Sequence, residues 1–157
     1  MSKFSHLSSS GDARMVDVSA KEVSNRVAKA QGEVILGEVI MAELEKNDFQ
    51  SKKGSIIQTA IIAANMAVKN TANLIPLCHP LLINGCIVEI DKMNKGALRI
   101  LCEVKVSGKT GVEMEALTGV SVAALTIYDM CKSMSHEIRI ANIHLVKKTG
   151  GKSDYAK

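Results

Sequence analysis

Aromatic residues are nearly missing from this 157-residue chain: tryptophan is absent, and Phe4, Phe49, Tyr128 and Tyr155 are the whole set. Modules that read single-stranded RNA stack bases on strand aromatics. None of the four lies in a stretch with strand patterning, which counts against an RNA-binding module. Cysteine is sparse as well. Cys78, Cys86, Cys102 and Cys131 form no CxxC pair and lack the density of a secreted disulfide scaffold, so a reducing cytoplasm fits best. No apolar run approaches the ~20 residues needed to cross a bilayer. The stretch from Met1 to Arg14 carries no hydrophobic segment behind a basic one, so neither secretion nor a membrane is indicated. Single-sign charge is also limited: Lys plus Arg exceed Asp plus Glu by 20 to 16, a surplus that suits a small anionic partner rather than a nucleic acid.

What is present is ordinary for a globular domain, with 46% hydrophobic and 23% charged residues. At this length one domain can bury a full core without disulfide or metal. Residues 1–14 read as a mobile tail, 15–150 as one domain and 151–157 as a flexible basic C-terminal tail. Ser19 with Glu22 forms a capping box, and Val18 with Val23 a hydrophobic staple, predicting an N-terminal helix from Ala20 to Ala30. A short strand at Val34–Leu36 precedes a helix over Glu38–Lys46 with Val39, Ala42 and Leu44 inward. A small-residue helix spans Ser55–Thr71, ending ahead of Pro76. Cys86, Val88 and Ile90 alternate, Asn94-Lys95-Gly96 turns, and Leu98 to Val106 alternates again, which is an antiparallel hairpin. A long helix covers Val112–Met134, and a last strand carries Ile138, Ile140, Ile143 and Leu145 with a bulge near Asn142. From Val34 onward this is the order of the split βαβ unit. The expected fold is α+β and ferredoxin-like: an antiparallel four-stranded sheet, helices packed on one face, plus the N-terminal helix.

The chemistry-bearing motifs each have a bland reading. Gly151-Lys152-Ser153 and Gly108-Lys109-Thr110 end like phosphate loops, but the glycine required five positions earlier is Val146 or Glu103. The second, lying between a strand and a helix, can still offer amide N–H groups to an anion. Cys78 and His79 are adjacent, which hinders both from reaching one zinc. Pro76 and Pro80 bracket them and fix the backbone, making His79 an acid/base candidate or a structurally satisfied histidine. Asp129 and Lys132 share a helix face, as many surface ion pairs do. Glu113 and Glu115 sit in the first helical turn, where the dipole favours acids. Lys52-Lys53-Gly54 precedes a helix that favours anions. Glu115 and Asp129 lie about 40° apart in azimuth but roughly 21 Å apart along one helix axis, so one small substrate can hardly touch both.

Taken in order, MVDVS (15–19), Lys53-Gly54, LIPLCHP (74–80), TGVEMEALT (110–118), TIYDMCK (126–132) and KTGGKS (148–153) resemble the molybdenum cofactor biosynthesis protein C family, the cyclic pyranopterin monophosphate synthases. The resemblance implies a lyase that takes 3',8-cyclo-7,8-dihydroguanosine triphosphate to cyclic pyranopterin monophosphate and pyrophosphate. It also implies a ferredoxin-like core, a homohexamer built as a trimer of dimers, and active sites between subunits. By matching motif, Asp129 would be the catalytic acid/base, with Lys53 and Lys132 essential beside it. Leu77, Cys78, His79, Met114 and Glu115 would bind substrate; Glu113, Arg26, Lys69 and Lys148 would line the pocket or its anion end. A lysine lowered from its free value of about 10.4 by a neighbouring cation could also donate a proton. No metal or other cofactor is implied, beyond a divalent ion such as Mg accompanying the triphosphate. Three positions depart from the family pattern: Ser55 stands where Asp is usual, Ile61 where Arg is frequent, and Asp154 where Gly commonly follows GGKS. The rival readings are an RNA-binding ferredoxin-like module and a catalytically silent ligand-binding oligomer.

Overall fold

The computed structural model describes residues 11–157. Four long strands and one short one form an antiparallel sheet: β1 (Ser24–Ile35), β4 (Gly85–Met93), β5 (Ala97–Gly108), β6 (Arg139–Thr149) and β7 (Tyr155–Ala156), in the order β4-β5-β1-β6-β7. A hairpin of β2 (Gln50–Ser51) and β3 (Gly54–Ser55) stands apart. The helices are α1 (Glu38–Lys46), α2 (Ile56–Lys69), α3 (Thr71–Leu74) and α4 (Glu113–Cys131). The two long helices, α2 and α4, pack together on one face of the sheet. No helix among the described residues is long and apolar enough to cross a membrane.

The β4–β5 hairpin follows the alternation of the sequence. Leu98, Ile100, Cys102, Val104 and Val106 are buried, while Arg99, Glu103, Lys105 and Ser107 point to the other face. Period two puts one set under the helices and the other toward water. On α4 the buried stripe is Ala116, Val120, Ala123, Ala124, Ile127 and Cys131, the three-and-four spacing of one helical face. Ser55 caps α2 by accepting a hydrogen bond from the Gln58 amide at 3.3 Å. A serine is a good N-cap, so the departure from Asp at this position keeps the cap. The predicted irregularity in the last strand is present: β6 shifts register against β1 twice, and Asn142 has a positive φ of 54°.

Three expectations are corrected. The N-terminal helix over 20–30 is not formed: Ser24–Ile35 is the central strand β1, and residues 19–21 form a turn, with the Ser19 amide bonded to Asp17 rather than into a capping box. The buried positions Ala28, Ala30 and Val34 alternate with more exposed ones. Because that inward face is made of small residues, its hydropathy alternation is faint, and alanine's helix propensity points the wrong way. The sheet has five strands rather than four, since Tyr155–Ala156 within the expected C-terminal tail pairs with Lys147 and Lys148. On α1 the inward residues are Ile40, Met41 and Leu44, whereas Val39 is 85% exposed and Ala42 is exposed too. The expected tail over 1–14 lies for the most part outside the described residues.

Candidate active site

Helix α4 carries a different set of candidate side chains at each end. At its C-terminal end Asp129 meets two ammonium groups. Lys132, at the C-cap, reaches one carboxylate oxygen at 2.7 Å, and Lys53 reaches the other at 3.9 Å. Lys53 comes from the tight turn of the β2–β3 hairpin, where its amide is held by the Ser51 hydroxyl. Gly54, with φ of 105°, makes that turn possible, since a side chain there would be strained. All three side chains are at least half exposed. Lys132, by its hydrogen bond and then its charge, and Lys53 after it hold the Asp129 carboxyl below the usual carboxylate range. Asp129 in turn holds Lys132 above the ordinary lysine value, again first through the hydrogen bond. This corrects the expectation of a lowered, proton-donating lysine as far as Lys132 is concerned. Its nearest charged partner is an anion, which favours the ammonium form.

At the N-terminal end of α4 lies a cavity of about 240 Å³, lined by Leu77, Cys78 and His79 and by Glu113, Met114 and Glu115. The rigid Pro76–Pro80 segment places His79 so that its Nε2 donates to the Val16 carbonyl at 2.8 Å. A carbonyl can only accept, so in the neutral ring Nε2 carries the proton and Nδ1 is the acceptor. The bond to Val16 fits the reading of His79 as a structurally satisfied histidine. The side chain tethers the segment around Val16 over the cavity and also lines it. Glu115 is only 4% exposed, and burial pushes its carboxyl up, with the charge of Glu113 adding to the effect and a backbone hydrogen bond opposing it. Burial and the neighbouring Glu115 likewise raise the Cys78 thiol, so it is not poised as a thiolate.

A second cavity of about 130 Å³ adjoins the first and shares Lys21, Thr110, Gly111 and Glu113 with it. Its cations are Lys21, Arg26, Lys148 and Lys152. Arg26 is oriented by a hydrogen bond from Nε to the Gly108 carbonyl at 3.0 Å, and Lys148 pairs with Glu113 at 3.3 Å. The Glu113 carboxylate folds over Gly111, where any side chain would collide with it. The predicted anion-facing helix start is thus occupied by the protein's own acid.

The predicted residues therefore separate into groups. Lys53, Asp129 and Lys132 come together, and Arg26, Leu77, Cys78, His79, Glu113, Met114, Glu115 and Lys148 line the paired cavities. Lys69, on the last turn of α2, lines a different cleft with Asn65, Leu82 and Cys86. Sequence reasoning does not single out Lys21, which lies in a stretch with helical signals, or Lys152, whose basic loop has the composition of a tail. The incomplete GKS motif was the signal that marked Lys152. Among the described residues no group of three or more His, Cys, Asp or Glu side chains is disposed to hold a metal ion.

Comparison with known proteins agrees with this arrangement of motifs. The MoaC family model matches residues 15–151. A cyclic pyranopterin monophosphate synthase of Xanthomonas campestris pv. campestris (strain B100) is 51% identical over 152 residues, covering 97% of this chain and 92% of its own. One from Clostridium perfringens (strain SM101 / Type A) is 52% identical over 153 residues, covering 96% and 95%. A molybdenum cofactor biosynthesis bifunctional protein of Synechocystis sp. is 53% identical over 96% of this chain, which spans 45% of that longer protein. A family match from Met15 to Gly151, together with relatives about half identical along nearly the whole length, means that this chain belongs to the MoaC family.

Proposed function

We propose that this chain is a cyclic pyranopterin monophosphate synthase, a lyase of molybdenum cofactor biosynthesis that converts 3',8-cyclo-7,8-dihydroguanosine triphosphate to cyclic pyranopterin monophosphate and pyrophosphate. The observation that carries this reading is the pair of adjoining cavities. One is walled by leucine, methionine, histidine and a buried carboxyl, and the other by four cations, one of them paired with Glu113. A ring system joined to a polyphosphate has that same division of chemistry. The fold reading that accompanies it is ferredoxin-like, since β1, α2, β4, β5, α4 and β6 follow the split βαβ order. The cytoplasm is the compartment this reading assigns.

Rearranging the rings needs repeated proton transfers, and closing the cyclic phosphate needs a hydroxyl to attack the α-phosphate. In that last step a new P–O bond forms, the α–β bridging P–O bond breaks, and pyrophosphate leaves with the electron pair. Asp129, held ionised by two ammonium groups that also lower its basicity, would accept protons as a carboxylate that remains charged between transfers. Glu115, pushed up by burial, is suited to keep one. Two carboxyls driven apart by their surroundings divide the acid and base roles. Lys53 and Lys132 would neutralise charge as pyrophosphate departs, and Arg26, Lys148, Lys21 and Lys152 would hold it. A divalent ion riding on the triphosphate would share that task.

Because Glu115 and Asp129 are roughly 21 Å apart along α4, the reading includes a partner subunit. The beginning of one α4 and the end of its partner's then face one substrate, in a homohexamer assembled as a trimer of dimers. The test is to incubate the purified protein with the cyclised GTP intermediate, following pyrophosphate release together with pterin fluorescence after oxidation. Matched release of both products is expected. Pyrophosphate without pterin, or neither, refutes the proposal.

A further inference from the structure

Four cations crowd the smaller cavity, and three of them sit on the sheet or near its first strand: Arg26 on β1, Lys148 on β6 and Lys21 just before β1. Lys152 is different, because it stands on the loop between β6 and β7. It shares the cavity with Lys21, Arg26 and the Lys148–Glu113 pair, and among the described residues nothing but its loop sets its place there. Gly150 is where that loop is fixed. Its amide donates to the Asp154 carboxylate at 3.0 Å, and its carbonyl accepts from the Ser24 hydroxyl at 2.7 Å. Both backbone polar groups of one residue are thus bonded, one within the loop and one to β1. The loop lies so close to β1 that a Cβ on Gly150, whose φ is 80°, would fall 2.0 Å from the Asn25 carbonyl oxygen. A Cβ on Gly151 would stand 3.3 Å from the Arg26 guanidinium. Beyond Asp154 the chain turns back, Tyr155 and Ala156 pair with Lys148 and Lys147, and the Lys157 amide donates to the Val146 carbonyl at 2.9 Å.

We infer that Asp154 is a positioning residue: its carboxylate closes the Gly150–Asp154 turn and thereby keeps Lys152 over the cation-lined cavity, where it meets the polyphosphate end of the substrate. This rests on the assignment of that cavity to polyphosphate. Asp154 is exposed and four residues from its partner amide, so water competes with the bond. A bond of that kind contributes on the order of 1 kcal/mol, which is about fivefold in an equilibrium constant.

The experiment uses the full chain as wild type, Asp154→Ala, Asp154→Asn, Lys152→Ala and the Asp154→Ala/Lys152→Ala double variant. Each is titrated calorimetrically with inorganic pyrophosphate and assayed with the cyclised GTP intermediate. Asp154→Ala is expected to weaken pyrophosphate binding and raise KM, each about fivefold, with kcat held within about twofold, the signature of lost uniform binding. Asp154→Asn, whose amide oxygen can accept the same N–H, is expected to match wild type. Adding Asp154→Ala to Lys152→Ala is expected to cost nothing more, because the aspartate acts through the lysine. Wild-type affinity in Asp154→Ala, additive penalties in the double variant, an asparagine as impaired as the alanine, or a wild-type protein that does not bind pyrophosphate overturns the inference. Absence of turnover by a wild-type protein that binds pyrophosphate would refute the synthase assignment and leave the titrations to decide on Asp154.

Discussion

Replacing Gly32 by alanine is expected to destabilise the fold through the contact between the central strand and α4. A Cβ at position 32 would lie 2.6 Å from Val120 Cγ1 and 3.0 Å from Ile143 Cγ1. Val120 is wholly buried, and a close-packed interior gives it little room to retreat. Overpacking of this kind costs about 1–3 kcal/mol. The reduced freedom of the unfolded chain returns roughly 0.5–1 kcal/mol. The net loss is therefore centred near 1.3 kcal/mol within a span of about 0–2.5 kcal/mol, or a fall of roughly 0.6 M in the urea midpoint for a slope near 2 kcal/mol/M. Midpoints must be compared at one protein concentration, since assembly into an oligomer would add to apparent stability. Val120→Ala alone should also destabilise, by loss of buried methyls. In the double variant the smaller side chain at 120 accommodates the new methyl at 32, so its penalty should fall short of the sum of the singles by at least about 1 kcal/mol. A Gly32→Ala protein more stable than wild type, or strictly additive penalties, would refute the steric argument.

Asp129→Asn should cut turnover by roughly 10²–10⁴-fold, the scale of a lost proton-transfer group, with unchanged circular dichroism. Lys132→Ala should fall in the same range, and activity near wild type in either variant would remove these residues from the chemistry. Glu115→Gln tests the sign of a raised carboxyl. The folded protein holds this proton more tightly than the unfolded chain does, so the residue lowers stability as pH climbs from its ordinary 4.5 through its raised value. The stability difference should shift in the variant's favour over that window and stay flat below it, and a pH-independent difference would count against burial as the cause. Mixing inactive Asp129→Asn with inactive Glu115→Gln protomers should restore about a quarter of wild-type activity if each site draws on two chains of a two-fold pair. No recovery would confine the site to one chain. Filter binding to RNA across a salt titration should show no strong, salt-sensitive affinity.

Much of the architecture was legible because its signals are local. The alternation of Leu98 to Val106 and the three-and-four spacing of Val120, Ala124, Ile127 and Cys131 each reflect one element with one buried face. The central strand was not legible, because Ala28, Ala30 and Gly32 are small in order to admit α4. What identifies them as inward-facing is a neighbour roughly 90 residues away in sequence. The edge strand at Tyr155–Ala156 is two residues long and held by pairing alone, too short for any periodicity. It also places one of the few aromatics in a strand, contrary to expectation, although at the outer edge of the sheet. In the site, the Asp129–Lys132 pair could be read from helical spacing, but the arrival of Lys53 depends on a hairpin turn. Lys21 and Lys152 meet only because the two ends of the domain lie side by side.

Helix α4 runs from Glu113 to Cys131 without interruption, and a helix yields little along its axis. It consequently works as a gauge block whose length is set residue by residue, about 1.5 Å and 100° at a time. Inserting a single residue in its middle would swing the Asp129 carboxylate about a quarter turn away from the hairpin lysine while leaving the Glu115 wall untouched. In a two-fold pair the same misfit would be stamped on both candidate sites at once. Length variation in this family should therefore collect in the connections around the rod and spare the rod itself.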